Sequence, residues 1–185
     1  MITLITGPMY SSKSTTLMAK IERALYARKN IAFVRAKKDS RNYIVHNDNR
    51  VEKILDRCCI YEIDEFTPTL AEDLVNSFAM IAVDEYFMIK NCKLLCTTLS
   101  NNRHCDIYFS GLLATSENNL FGETIDILPY CDNIVKLNGI CDECGSEHGN
   151  YSYYVEGDKK EDIKVGDSAY KCVCRKCYYK LCGKL

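Results

Sequence analysis

Ile2-Thr3-Leu4-Ile5-Thr6-Gly7-Pro8-Met9-Tyr10-Ser11-Ser12-Lys13-Ser14 is the stretch on which the fold turns. A short apolar, β-branched run passes through a Gly-x-x-x-x-x-Lys-Ser turn into a segment where Leu17, Ile21, Ala24 and Leu25 recur at helical spacing. A strand, a loop and a helix in that order form the context in which a phosphate-binding loop has meaning. Loop amides and the helix N-terminus would cradle anionic oxygens, Lys13 would reach the β and γ phosphates of a nucleotide, and the Ser14 hydroxyl would ligate Mg²⁺. The residue before the lysine is normally glycine; Ser12 at a positive φ carries a cost of roughly 1 kcal/mol. A plainer reading stands beside this one: a Gly-Pro turn with Ser11 or Ser12 as helix N-cap. The stretch alone does not separate the two.

A second half-site tips the balance. Phe78-Ala79-Met80-Ile81-Ala82-Val83-Asp84-Glu85 is an apolar strand ending in two acids, the form that sets a carboxylate beside a phosphate loop to hold Mg²⁺, usually through water. With Asp84 serving the metal, Glu85 is available as a general base for an incoming hydroxyl or water. An ion pair between Glu85 and a loop lysine is the ordinary alternative. Transfer to water, as in an ATPase, and transfer to an alcohol, as in a small-molecule kinase, both remain open here.

Working outward, short apolar runs alternate with helix-length segments, which predicts a parallel sheet covered by helices. Strands are expected at Ile2 to Thr6, Ile31 to Arg35, Cys59 to Ile63, Met80 to Asp84, Asp106 to Ser110 and Ile134 to Leu137. Helices are expected at Ser14 to Arg28, Thr69 to Phe78 and Lys90 to Asn101. The texture changes after Gly139: two Cys-x-x-Cys pairs, a tyrosine-rich run at Tyr151-Ser152-Tyr153-Tyr154 and a charged segment from Gly157 to Asp162 mark a small β-rich appendage. No flexible linker precedes it, so the two parts are expected to pack together.

Composition narrows the class. The 185 residues carry 24 Lys plus Arg against 25 Asp plus Glu, a net charge of −1, which argues against affinity built on neutralising nucleic-acid phosphates. The apolar fraction of 47% excludes a disordered chain. Phe78 to Val83, the longest apolar run, is far too short for a membrane span, and Met1-Ile2-Thr3 carries no charged leader, so a soluble cytoplasmic protein is expected. Its 12 cysteines then read as reduced thiols and metal ligands rather than a disulfide framework.

Cys141-Asp142-Glu143-Cys144 and Cys174-Arg175-Lys176-Cys177 are two chelating knuckles, and four thiolates on one ion make the closed tetrahedral site of structural Zn²⁺. Their wide separation implies that they clamp the base of a projecting loop. Cys172, Cys182 and His148 are near enough to compete but are taken as bystanders, since the knuckles already fill the coordination sphere. Cys58, Cys59, Cys92, Cys96, Cys105 and Cys131 lie in or beside apolar segments and are expected as buried small hydrophobes.

Taken in order, these motifs resemble the type II, zinc-containing thymidine kinases. The residues that carry the resemblance are Gly7 through Thr15, Lys38-Asp39-Ser40-Arg41, Asp84-Glu85, Gly111-Leu112 with Phe121-Gly122, Val135-Lys136-Leu137, and Tyr170 with Cys174-Arg175-Lys176-Cys177-Tyr178. The resemblance implies a RecA-like P-loop core over residues 1–139 and a zinc-binding domain over 140–185 carrying a lasso loop. It further implies transfer of the γ-phosphoryl of ATP to the 5′-hydroxyl of thymidine. Carried over, Gly7, Pro8, Met9, Tyr10, Ser11, Ser12, Lys13, Ser14 and Thr15 bind ATP; Ser14 and Asp84 serve Mg²⁺; Lys13 and Glu85 are catalytic. Asp39 and Arg41 lie near metal and phosphates. Met9, Leu112, Phe121, Ser152 and Tyr170 enclose the nucleoside, and Cys141, Cys144, Cys174 and Cys177 hold zinc. A homotetramer inhibited by thymidine triphosphate is the family expectation, with no membrane or nucleic-acid partner.

Four departures bear on the pocket. Ser12 stands for a glycine, Tyr86-Phe87 for the usual Gly-Gln, Met88 for an aromatic, and Leu113-Ala114-Thr115-Ser116 for Asp-Gly-Thr-Phe. Met88 and Ser116 remove aromatic walls that Tyr86 and Phe87 are placed to refill. Two other functions compete: a nucleic-acid-stimulated ATPase using the basic residues Lys171, Arg175, Lys176, Lys180 and Lys184, and a nucleotide-binding paralogue without turnover or with altered deoxynucleoside preference.

Overall fold

The computed structural model describes residues 1–39, 49–99, 104–155 and 169–184. Six parallel strands form one sheet: β1 (Ile2–Thr6), β2 (Ile31–Ala36), β3 (Cys59–Ile63), β4 (Met80–Asp84), β5 (Asp106–Gly111) and β6 (Asn133–Lys136), in the order β3-β2-β4-β5-β1-β6. Around them lie α1 (Lys13–Tyr26), α2 (Asn49–Leu55), α3 (Pro68–Ser77), α4 (Lys93–Leu99) and α5 (Gly122–Ile127).

Period-two alternation sends side chains of each central strand to both faces, and both faces are covered. On one side Leu4, Val34, Val83 and Phe109 meet Leu74 and Val75 of α3 and Leu95 of α4. On the other, Ile5, Phe33 and Ala82 meet Leu17, Ile21 and Leu25 of α1, with Ile54 of α2. Helix α3 starts cleanly because Thr67 caps it, its hydroxyl accepting the Leu70 N–H at 3.2 Å, and Pro68 occupies the first turn, where no donor is needed.

Cys59 departs from expectation: it is exposed, while Cys92, Cys96 and Cys105 are buried and Cys58 and Cys131 half-buried. The reason is strand order. Strand β3 is an outer strand of the sheet, so its apolar neighbours in sequence do not guarantee cover.

Beyond β6 the chain forms an antiparallel pair, β7 (Gly149–Tyr154) and β8 (Tyr170–Cys174), followed by α6 (Arg175–Leu181). This unit is seated on the core: Gly139 and Gly149 exchange backbone hydrogen bonds at 2.8 and 2.9 Å, and the Tyr178 hydroxyl donates to the Ser116 carbonyl at 2.9 Å. The charged segment 157–162 and Arg41 lie outside the described residues. No described helix is long and apolar enough to cross a membrane.

Candidate active site and metal centre

In parallel sheets, ligands gather at the carboxyl ends of the strands. The register brings Thr6 of β1 level with Gly111 of β5 and Lys136 of β6, and Ser110 level with Asp84 of β4. The phosphate-type loop leaves this edge directly after Thr6, whose hydroxyl donates to the Gly111 carbonyl at 3.0 Å. Gly7 has no room for a side chain: a Cβ there would stand 2.6 Å from the Leu137 carbonyl oxygen. Inside the loop the Pro8 carbonyl accepts from the Ser11 hydroxyl at 2.9 Å and from the Lys13 amine at 2.7 Å. Lys13 is only 8% exposed, so its charge is held within the loop rather than in solvent.

Ser12 takes φ 61° and ψ 29°, the left-handed conformation for which glycine is normally chosen. Its side chain is exposed and makes no capping bond, and the Ser11 hydroxyl is spent on Pro8. The plain N-cap reading therefore fails for both serines, since a capping residue is extended and its oxygen meets an amide of the first turn. Tyr10 shares the left-handed conformation. Ser14 is half-buried and Thr15 exposed at the start of α1.

Asp84 is fully buried at the end of β4, and Glu85, 6% exposed, follows at φ 48° and ψ 47°. A left-handed glutamate costs roughly 1–2 kcal/mol, a strain that tends to collect where function needs a side chain aimed away from the strand path. Asp39 is buried beyond β2, its N–H on the Ala36 carbonyl. The Ser110 hydroxyl is also buried at this edge and makes no hydrogen bond with any described group. Sequence reading passed over Ser110, because a serine closing an apolar strand carries no spacing signal. Oxygen donors of this kind suit a hard cation or its water shell.

Of the five residues expected around a nucleoside, two meet directly: the Met9 N–H donates to the Ser152 hydroxyl at 3.0 Å. Two more are joined through Tyr86 and Phe87. The Tyr86 hydroxyl lies 3.0 Å from the Leu112 carbonyl oxygen and 2.8 Å from the Thr124 hydroxyl, which in turn lies 3.1 Å from the Leu113 carbonyl oxygen, so two hydroxyl protons are shared among three contacts. Phe87 stacks on Phe121 with centroids 4.6 Å apart. Tyr86 has no exposed surface, so it braces the pocket wall from behind instead of refilling the pocket. Burial pushes its phenol up, against the Thr124 hydrogen bond, and it stays neutral. Gly111 permits this, since a Cβ there would lie 3.0 to 3.2 Å from the Phe87 and Tyr86 rings. Tyr170 packs edge-on against Tyr154 across the β7–β8 pair, with centroids 5.3 Å apart.

The four knuckle sulfurs, Cys141, Cys144, Cys174 and Cys177, lie within 4.8 Å of one another, and the Cys144 and Cys174 sulfurs are 3.8 Å apart. A tetrahedron with Zn–S bonds of about 2.3 Å has S···S edges near that length, so the donor set fits zinc. Burial pushes the Cys141 thiol up, but amide donors around it, from Cys174, Glu143 and Cys144, outweigh that and bring it down to about 6. Cys172, Cys182 and His148 stand outside the cluster. Cys172 is buried against Gly139 and Gly149, either of which would clash with its sulfur if it bore a side chain. The Cys172 N–H donates to the Asp142 carboxylate at 2.7 Å, tying the first knuckle to β8.

Comparison with known proteins follows the same outline. A family model described as thymidine kinase matches residues 1–178. Similar proteins include thymidine kinase of Sheeppox virus (strain KS-1), 28% identical over 180 residues, covering 96% of each chain. Thymidine kinase of Rabbit fibroma virus (strain Kasza) is 29% identical, again over 96% of each. Cytosolic thymidine kinase of Homo sapiens is 28% identical over 97% of this chain and 73% of its own.

Proposed function

The chain belongs to the thymidine kinase family, and from that membership we propose that it transfers the γ-phosphoryl of ATP to the 5′-hydroxyl of thymidine, giving thymidine monophosphate and ADP. The observation that carries the reading is the family match across residues 1–178. The buried Lys13 amine and the buried Asp84 carboxylate at one sheet edge are consistent with it.

Phosphoryl transfer needs little covalent chemistry from a protein; positioning and charge stabilisation do most of the work. In this reading Lys13 exchanges the Pro8 carbonyl for the β and γ phosphates, and the loop amides from Tyr10 to Thr15 hold the remaining oxygens. Ser14 and Asp84 would hold Mg²⁺, which offsets charge on the phosphates when bound. Asp39 lies near that group; Arg41, outside the described residues, shares the assignment by resemblance. Glu85 accepts the proton of the 5′-hydroxyl as the new P–O bond forms and ADP departs.

Met9, Leu112, Phe121, Ser152 and Tyr170 form the nucleoside walls, where apolar and aromatic surfaces suit a flat base. A structural Zn²⁺ on the four cysteines would clamp the two knuckles at the base of the β7–β8 pair. The division into a nucleotide-binding domain, 1–139, and a zinc-binding domain, 140–185, is part of the proposal. So are a homotetrameric state, inhibition by thymidine triphosphate, a cytoplasmic location and the absence of a nucleic-acid partner.

ADP release followed with and without each deoxynucleoside tests the reading. Release that depends on thymidine supports it; ATP turnover indifferent to every nucleoside, or stimulated by single-stranded DNA instead, overturns it.

A further inference from the structure

Ser110, the penultimate residue of β5, has no exposed surface, and its hydroxyl oxygen makes no hydrogen bond with any described group. A buried orphan of this kind costs stability, and in a native chain it commonly serves a ligand, an ion or an ordered water. Its surroundings say which. Ser110 stands level with Asp84 of β4 on one side and with Ile5 of β1 on the other. Ile5, Met80, Ala82 and Tyr108 pack on the α1 side of the sheet, whereas Ile81, Val83, Ile107 and Phe109 pack on the opposite side. Period-two alternation therefore puts Ser110 and Asp84 on the α1 face, side by side on strands about 4.8 Å apart. Helix α1 packs against β4 and β5 and begins at Lys13, directly after the phosphate loop.

We infer that Ser110 is a positioning residue for the nucleotide's Mg²⁺, its hydroxyl sharing with Asp84 the waters bound to that ion. The inference rests on the kinase reading only for placing a magnesium nucleotide at this sheet edge. Mg²⁺ gives up its waters reluctantly, so a protein that orients those waters gains affinity for the ion and its nucleotide. A carboxylate only accepts hydrogen bonds, whereas a hydroxyl accepts one and donates another. Ser110 accepts from a metal-bound water and donates to a neighbouring carboxylate or phosphate oxygen, which fixes how the water shell is turned. The orphan hydroxyl of the empty site is thereby satisfied in the loaded one.

Calorimetric titration of the full chain with a non-hydrolysable ATP analogue tests it, with Mg²⁺ present and with Mg²⁺ left out. The unaltered protein is compared with Ser110→Ala and Ser110→Cys, the second of which keeps the shape but hydrogen-bonds weakly. Both variants are expected to bind the analogue about fivefold more weakly with Mg²⁺ and as tightly as the unaltered protein without it. Without ligand, Ser110→Ala is expected to melt no lower than the unaltered protein, because it removes a buried hydroxyl that has no partner. A lower melting temperature marks a structural hydroxyl and would overturn the inference. So would affinity that is unchanged with Mg²⁺, affinity that falls equally with and without it, or an unaltered protein whose affinity does not respond to Mg²⁺. Thymidine-dependent ADP release by the unaltered protein is followed in parallel. Its absence, with the Mg²⁺-dependent loss intact, strikes the kinase reading and leaves the role of Ser110 standing.

Discussion

The Met9 amide donates to the Ser152 hydroxyl across 3.0 Å, joining the phosphate loop to the strand that follows the first cysteine knuckle. That bond ties the loop to the β7–β8 unit. Ser152→Ala removes the acceptor and leaves a partly buried N–H unsatisfied, at a cost of about 1–3 kcal/mol. Weaker binding of both ATP and thymidine is expected, with retained secondary structure; calorimetric titration of each ligand measures it. A change confined to thymidine would assign Ser152 to the nucleoside alone.

Ser12→Gly relieves a left-handed serine whose side chain makes no capping bond. The gain is up to about 1 kcal/mol, reduced by the greater freedom of glycine in the unfolded chain. A rise of a few degrees at most in melting temperature, with unchanged KM for ATP, is the expected result. A loss of stability would mean that the serine hydroxyl has a partner in solution.

If the four cysteines clustered at one end of the β7–β8 unit hold zinc as proposed, a chelator would release them while the sheet core retains its own packing. Thymidine affinity should fall by an order of magnitude or more, and the far-ultraviolet signal of the core should persist. Undiminished thymidine affinity in the metal-free protein would break the link between the metal and the substrate loop.

Burial pushes the thiols of Cys58, Cys105 and Cys131 up to about 11 and that of Cys96 to about 12. Their folded forms keep protons that the unfolded chain gives up near pH 9, so between about pH 9 and 12 the native state binds more protons than the unfolded one. Stability is therefore expected to fall as pH rises through that window and to be unaffected by these groups below it. Melting temperatures across pH 7.5 to 10.5 follow the trend, and Cys96→Ser or Cys105→Ser should flatten it. A melting temperature independent of pH across that range would contradict this assignment.

Strands β1, β2 and β4 were legible because each is a largely apolar run with β-branched residues buried on both faces. The outer strands β3 and β6 are mostly exposed and showed only through short β-branched or aromatic clusters. Helix α5 was not legible: Gly-Glu-Thr-Ile-Asp-Ile is short and opens on a glycine, and its fold rests on tertiary contacts such as the Thr124 bond to Tyr86. Helix α2 shares that brevity. Strand order was equally hidden, which is why Cys59 on the outer strand β3 was expected inside. At the site, residue type and spacing pointed to Lys13, Asp84 and the four cysteines. The brace formed by Tyr86, Thr124 and Leu112 has no sequence signal, because its members come from three separate stretches of the chain and meet only after folding.

The central claim is phosphoryl transfer to thymidine with Glu85 as the base. Its most direct measure is formation of labelled thymidine monophosphate from γ-labelled ATP, in the unaltered protein and in Glu85→Gln. The expected result is one monophosphate per ADP, with turnover in Glu85→Gln lower by about 10²–10⁴ and ATP binding largely intact. No labelled monophosphate from the unaltered protein would contradict the reaction; equal turnover in Glu85→Gln would remove Glu85 from it.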